Sequence, residues 1–169
     1  MNPDSLRNRS NRFHVSHLPA KDFYSQGLHW GRQLSATTVI RFLRGDKMRT
    51  YESLFNEFAA AFQFPYYFGN NWPAFDECMA DLEWMPGESY LLMFTQAESI
   101  YEDERRPEYP TLLKIISKIS ADWAKPISAG AAVRPGKPFH CVFQCDGSHR
   151  IEEQLKMASI GFDLLEDND

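Results

Sequence analysis

The side chains best suited to chemistry lie towards the two ends of the chain. His14 and His17 stand three apart, Cys141 and Cys145 stand four apart, and His149 follows. Imidazole and thiolate are zinc ligands, and a Cys–His pair is the centre of covalent hydrolysis. The spacings fit neither use. Zinc signatures favour Cys-x-x-Cys and grouped pairs. On a strand, positions 141 and 145 face the side of Phe139 and Phe143, which favours packing into a core. A nucleophilic cysteine needs a depressed pKa with a base beside it, and nothing in the sequence sets one up. There is no glycine-rich phosphate loop, nucleophile elbow or His-Glu-x-x-His run. Glu102, Asp103 and Glu104, next to Arg105 and Arg106, read as a solvated loop. The expectation is a protein that binds rather than catalyses, with no metal and no cofactor.

Composition narrows what it binds. A chain of 169 residues with 43% hydrophobic content suits one domain with modest extensions. A formal charge of -5 and a pI near 5.5, with no basic block, make a poor grip for phosphates. Nucleic acid would matter only through a basic protein partner, although the same charge also serves plain solubility. Three cysteines do not form a disulfide framework. Residues 1–20 hold no apolar run of the signal-peptide kind, and no stretch approaches the roughly 20 apolar residues that span a bilayer. A cytoplasmic protein without membrane contact, monomeric when free, is expected. Aromatic content is 14%, concentrated between Phe55 and Phe75, and serves either a ring-rich core or a binding surface.

The elements that must position these residues follow from pattern. Residues 1–35 show no clear period and read as a partly ordered extension. Thr37 to Leu43 is a buried strand ending at the Arg44-Gly45-Asp46 turn. Thr50 opens a helix with Leu54, Phe55, Phe58 and Phe62 inward. Ser53 stands where a capping box wants Glu or Gln, so Thr50 is expected to cap alone. Phe64-Pro65 stops that helix. A loop follows, then a second helix capped by Asn71, with Pro73 in its first turn and Trp72, Phe75, Met79 and Leu82 on one face. Tyr90 to Phe94 and Phe139 to Phe143 are further buried strands. Between them Pro110 opens a helix with Leu112, Leu113, Ile116, Ile119 and Trp123 inward. Residues 126–138 form a loop, Ile151 to Met157 a weaker helix, and Glu166 to Asp169 a fraying tail. The predicted units are an extension at 1–35, a domain at 36–146, and a helix with an acidic tail at 147–169. The fold class is α/β, with helical crossovers arguing a small parallel sheet.

The run Phe64-Pro65-Tyr66-Tyr67-Phe68-Gly69-Asn70-Asn71-Trp72-Pro73-Ala74-Phe75-Asp76-Glu77-Cys78-Met79-Ala80-Asp81-Leu82 resembles the signature of the barstar family. An apolar–Pro pair ends one helix, an aromatic-Gly-x-Asn loop follows, and the next helix carries an acid–Cys pair. The resemblance is ungapped here, and the elements agree in order and length from Thr37 to Gln144. It implies a three-stranded parallel sheet packed by helices. It also implies the function of an antitoxin or immunity protein of bacterial type, which places a loop and a helix in the basic active site of a ribonuclease. There a carboxylate takes the place of a substrate phosphate.

Carried over residue by residue, Tyr67, Gly69 and Asn71 fit the contact loop. Glu77 takes the position of the family's central inhibitory aspartate, one methylene longer. Pro73 departs from the pattern, since an aspartate is common there. Asp76 substitutes in part, about 100° around the helix. Lys118 stands where the best-known member has an acid, with Asp122 one turn on. Ala80 and Asp122 complete the expected binding set. Cys78 matches the family's helix cysteine and reads as a buried thiol. The redrawn charges leave a first alternative, an adaptor of the same fold that binds a protein other than a nuclease; the second, ranked below it, is an enzyme or metal protein using Cys141, Cys145 and the histidines.

Overall fold

The computed structural model describes residues 12–34, 36–128 and 133–165. Five strands lie in one sheet: β1 (Phe13–Ser16), β2 (Thr38–Arg44), β3 (Ser89–Thr95), β4 (Phe139–Gln144) and β5 (Phe162–Leu165), in the order β2-β3-β4-β1-β5. Every pairing is parallel. Five α-helices accompany them among the described residues: α1 (Ala20–Gln33), α2 (Tyr51–Phe62), α3 (Trp72–Asp81), α4 (Tyr109–Ala124) and α5 (Arg150–Met157).

The three-stranded sheet implied by the family resemblance is therefore corrected to five strands. β2, β3 and β4 are the three read from sequence. β1 pairs beyond β4, with Phe13 opposite Cys141 and Val15 opposite Phe143, and β5 pairs beyond β1. Both added strands have four residues, too few for a period-2 signal to stand out. The predicted acidic tail, residues 1–11 and part of the 126–138 loop fall outside the described residues.

Parallel strands buried on both faces explain the continuous apolar runs. Tyr90, Leu92 and Phe94 of β3 face one core with Phe13, Val15, Phe139, Cys141 and Phe143, covered by α2 to α5. Leu91 and Met93 face the other, with Val142, Ile40 and Phe42, covered by Phe23 and Trp30 of α1. The chain crosses from β1 back to the far edge at β2, then returns through β3 and β4. That reversal puts α1 on one face and the other helices on the opposite one, as right-handed crossovers require. The buried pair His14 and His140 joins β1 to β4 by a ring–ring hydrogen bond of 3.0 Å. Burial, then the nearby Arg12, lowers the His140 pKa to about 4, against an opposing pull from Asp163.

Thr50 does not cap α2 alone. Its Oγ1 accepts from the Ser53 N–H at 3.2 Å, and Ser53 Oγ accepts from the Thr50 N–H at 2.9 Å. Serine thus closes the reciprocal box at the position where Glu or Gln is usual.

Candidate partner-binding site

Helix α2 ends at Phe62, with Gln63 left-handed behind it. The next residues divide the local aromatics between core and surface. Phe64 and Phe68 turn inward, 4.8 Å apart, and pack on Phe55 and Phe75. A turn bond from the Phe68 N–H to the Pro65 carbonyl throws the two tyrosines between them outward. Tyr66 is 101% exposed and Tyr67 66% exposed, their rings edge-to-face at 5.5 Å. The ring-rich stretch thus supplies both core rings and two exposed ones. Tyr66, not among the expected contact residues, is the more exposed of the two.

Asn71 caps α3: its Oδ1 accepts from the Ala74 N–H and its Nδ2 donates to the Gly69 carbonyl, both at 3.0 Å. A Cβ on Gly69 would stand 2.8 Å from Asn71 Nδ2, so glycine keeps the loop closed on its cap. The left-handed residue of this turn is Asn70, with φ 48°. Pro73 is in the first turn, where its missing N–H costs no helical bond. Trp72 is held by a bond from Nε1 to Glu108 and by edge-to-face contacts with Phe55 and Phe75.

On α3, Pro73, Glu77, Ala80 and Asp81 are exposed, while Phe75, Cys78 and Met79 are buried. Glu77 makes no ion pair among the described residues. Asp76 is committed: Lys118 of α4 donates to both its oxygens, at 3.1 and 3.2 Å. The same ammonium stands 3.7 Å from Asp122, whose other oxygen meets Lys125 at 3.1 Å. Bonding to Asp76 raises the Lys118 pKa. The predicted site residues thus lie on one loop, one helix and its neighbour, but two of the three acids are already paired. Cys78 is buried, and burial, with Glu77 and Asp81 nearby, raises its pKa.

The other candidate chemistries resolve differently. Cys141 and Cys145 are buried in the main core. Burial drives the Cys141 thiol far up, and burial together with Glu98 pushes Cys145 up to about 12, the opposite of the depressed pKa that activates a thiol. Asp103 and Glu102 of the acidic loop pair with Arg49, with Asp103 gripped by two guanidinium nitrogens at 2.7 and 2.8 Å.

Residues 38–144, more than half of the 169, match the family model described as Barstar (barnase inhibitor). The chain belongs to the barstar family. The match takes in the loop, α3 and α4, where the candidate site lies, and leaves out β1, α1, α5 and β5. No curated protein matches the barstar-family chain. Two solved structures resemble it over nearly its whole length. Drosophila ORC, in a structure bound to AT-rich DNA and Cdc6, is 12% identical with a TM-score of 0.53, covering 96% of this chain and 50% of that one. The Aeropyrum pernix ORC2 protein, in its ADPNP–ADP complexes, is 11% identical with a TM-score of 0.57, covering 95% and 43%. The chain spans half or less of those proteins, and the likeness is one of fold. It supports the wider parallel sheet over the three-stranded one. Where a nucleotide-binding parallel sheet places glycines and a lysine after its first strand, this barstar relative has Ser16-His17-Leu18-Pro19. Among the described residues no helix is long and apolar enough to cross a membrane.

Proposed function

We propose that this protein is a stoichiometric inhibitor of a ribonuclease-like toxin, which it binds through the Tyr66–Asn71 loop and the exposed side of α3. The reading makes it a binding protein and not an enzyme, acting in the cytoplasm on a basic protein rather than on nucleic acid itself. The observation that carries it is family membership over a span that includes a rigid, capped loop–helix unit. That unit presents two exposed tyrosines on the loop and, on α3, an exposed glutamate with no ion pair among the described residues. Tyrosine supplies large contact area at low entropic cost, and an exposed acid on the following helix suits a cleft built to grip phosphate. Ribonuclease catalysis needs cations around a phosphate, and Glu77 offers them a carboxylate without a scissile bond.

A second reading rests on a specific observation. Lys118 ties up Asp76 and Asp122, and Pro73 carries no charge, so the face is less acidic than its sequence suggests. That favours an adaptor of barstar fold whose partner is not a nuclease.

Titration of the protein into barnase, with RNA cleavage as the readout, separates the two. Cleavage falling to zero at one equivalent is the expected result. If barnase cleavage is unchanged, the test moves to an affinity capture from native extract at low and high salt. Retention of a basic ribonuclease that the protein silences at one equivalent then upholds the inhibitor reading. Capture of a partner without nuclease activity establishes the adaptor.

A further inference from the structure

We infer that His17, His149 and Glu152 form a binding site for a divalent transition ion of the zinc class, separate from the partner-binding face. His17 Nε2 and His149 Nδ1 each stand 2.8 Å from Glu152 Oε1. One donor atom from each of the three lies within 4.8 Å of the others. Two imidazoles and a carboxylate are the protein ligands of an open tetrahedral zinc site. Around such an ion, with bonds of about 2.0–2.1 Å, donor atoms stand about 3.4 Å apart. The ring nitrogens therefore need to retreat from the carboxylate by roughly half an ångström and, from a separation of up to 4.8 Å, to close on each other. Both rings are free to do so, because His17 and His149 are exposed while Glu152 is buried and fixed in the first turn of α5. On binding, each imidazole gives up any proton it shares with Glu152, and the fourth position is left to water.

The position in the fold is a second, independent argument. His17 directly follows the carboxyl end of β1, and His149 and Glu152 follow that of β4, its neighbour in the sheet. From β1 the chain leaves for the α1 face, and from β4 for the α5 face. Adjacent parallel strands whose connections part in this way open a crevice at their carboxyl ends, which is where parallel α/β sheets hold ligands. The two histidines are 132 residues apart in sequence, counting from 17 to 149, so no spacing motif could have signalled the site. The cysteines considered with these histidines take no part, being buried in the core.

The test is calorimetric titration of zinc chloride into the full chain after removal of bound metal, for the parent protein and for the His17→Ala/His149→Ala double variant. The parent should bind one equivalent, with X-ray absorption showing nitrogen and oxygen but no sulfur around zinc. The double variant should bind at least about 100-fold more weakly, since changes merely adjacent to a ligand already cost 10–100-fold. Circular dichroism verifies its fold. Should the double variant unfold, His149→Ala alone serves, with a weakening of at least about tenfold expected. A parent that shows no saturable binding, a variant that binds as tightly as the parent, or sulfur in the zinc shell would each overturn the site.

Discussion

Lys118 sits between Asp76 and Asp122 and cancels charge where a basic partner would need it. All three side chains are at least one-third exposed, so the pairing adds little to stability but does shape the field of the face. Lys118→Ala takes the net charge from -5 to -6 and releases Asp76, while Asp122 keeps Lys125. Association with a basic ribonuclease should then quicken by about two- to tenfold at low salt, with the gain vanishing at high salt. Stopped-flow mixing at two ionic strengths reads this, and an unchanged rate at low salt would mean that α4 lies outside the contact. Glu77 plays the opposite part. As the exposed acid of α3 without an ion pair among the described residues, it should cost about tenfold or more in affinity when changed to Ala, chiefly through faster dissociation. Surface plasmon resonance separates the two rates. At this scale the sequence placed Glu77, Tyr67 and Asn71 on one surface but could not show that Asp76 was occupied. Its partner is 42 positions away on another helix, and pairing across helices leaves no trace in local pattern.

Among the elements, the junction after β2 is the tightest. A Cβ on Gly45 would stand 2.0 Å from the Gln96 carbonyl oxygen and 2.7 Å from its carbon. Both neighbours are backbone and cannot swing away. Gly45→Ala should therefore cost at least about 2 kcal/mol in denaturant unfolding, and a loss below half of that would show that the Gln96 turn yields. This turn was legible, as were β2, β3 and β4 and the apolar faces of α2 to α4, because β-branched runs and helical periodicity are strong local signals. α1 was not. Its inward stripe is Phe23, Gly27, Trp30 and then Leu34 just past its end; a glycine in that stripe, with Tyr24, Ser25 and His29 between, weakens both propensity and period. β1 escaped for a related reason. Two of its four residues are polar, and His14 is buried between partners on neighbouring strands, His140 and Asp163.

That histidine pair ties the stability of the whole molecule to pH. The folded-state pKa of His140 lies near 4, below the ordinary 6.5. Between those values the unfolded chain binds the proton and the native one does not, so stability rises with pH across that window and is lost as pH falls through it. The loss should be on the order of 3 kcal/mol by pH 4. Urea melts at a series of pH values measure it, and a flat profile between pH 6.5 and 4 would show that the pair accepts a proton without unfolding.

The sheet sets the other whole-molecule expectation. The family match stops at residue 144, yet β4 is buried along all six of its residues, and β1 is what covers its far side. The Cys141 and Cys145 N–H groups donate to the carbonyls of Arg12 and Ser16, at 2.9 and 3.0 Å. A chain cut back to residues 36–146 would keep three strands but turn β4 into a bare apolar edge, the kind of surface that pairs with other molecules. It would also remove Phe13 and Val15 from the main core and Phe23 and Trp30 from the α1 side, leaving Leu91 and Met93 uncovered. Losses of this kind, at a few kcal/mol for each large buried side chain, exceed the whole stability of an ordinary domain. The shortened chain should therefore aggregate or show no cooperative unfolding, as read by size-exclusion chromatography and thermal melting. A monomer that melts cooperatively would mean instead that the loop, α3 and α4 stand on three strands alone, and that the outer strands are an addition to a self-sufficient unit.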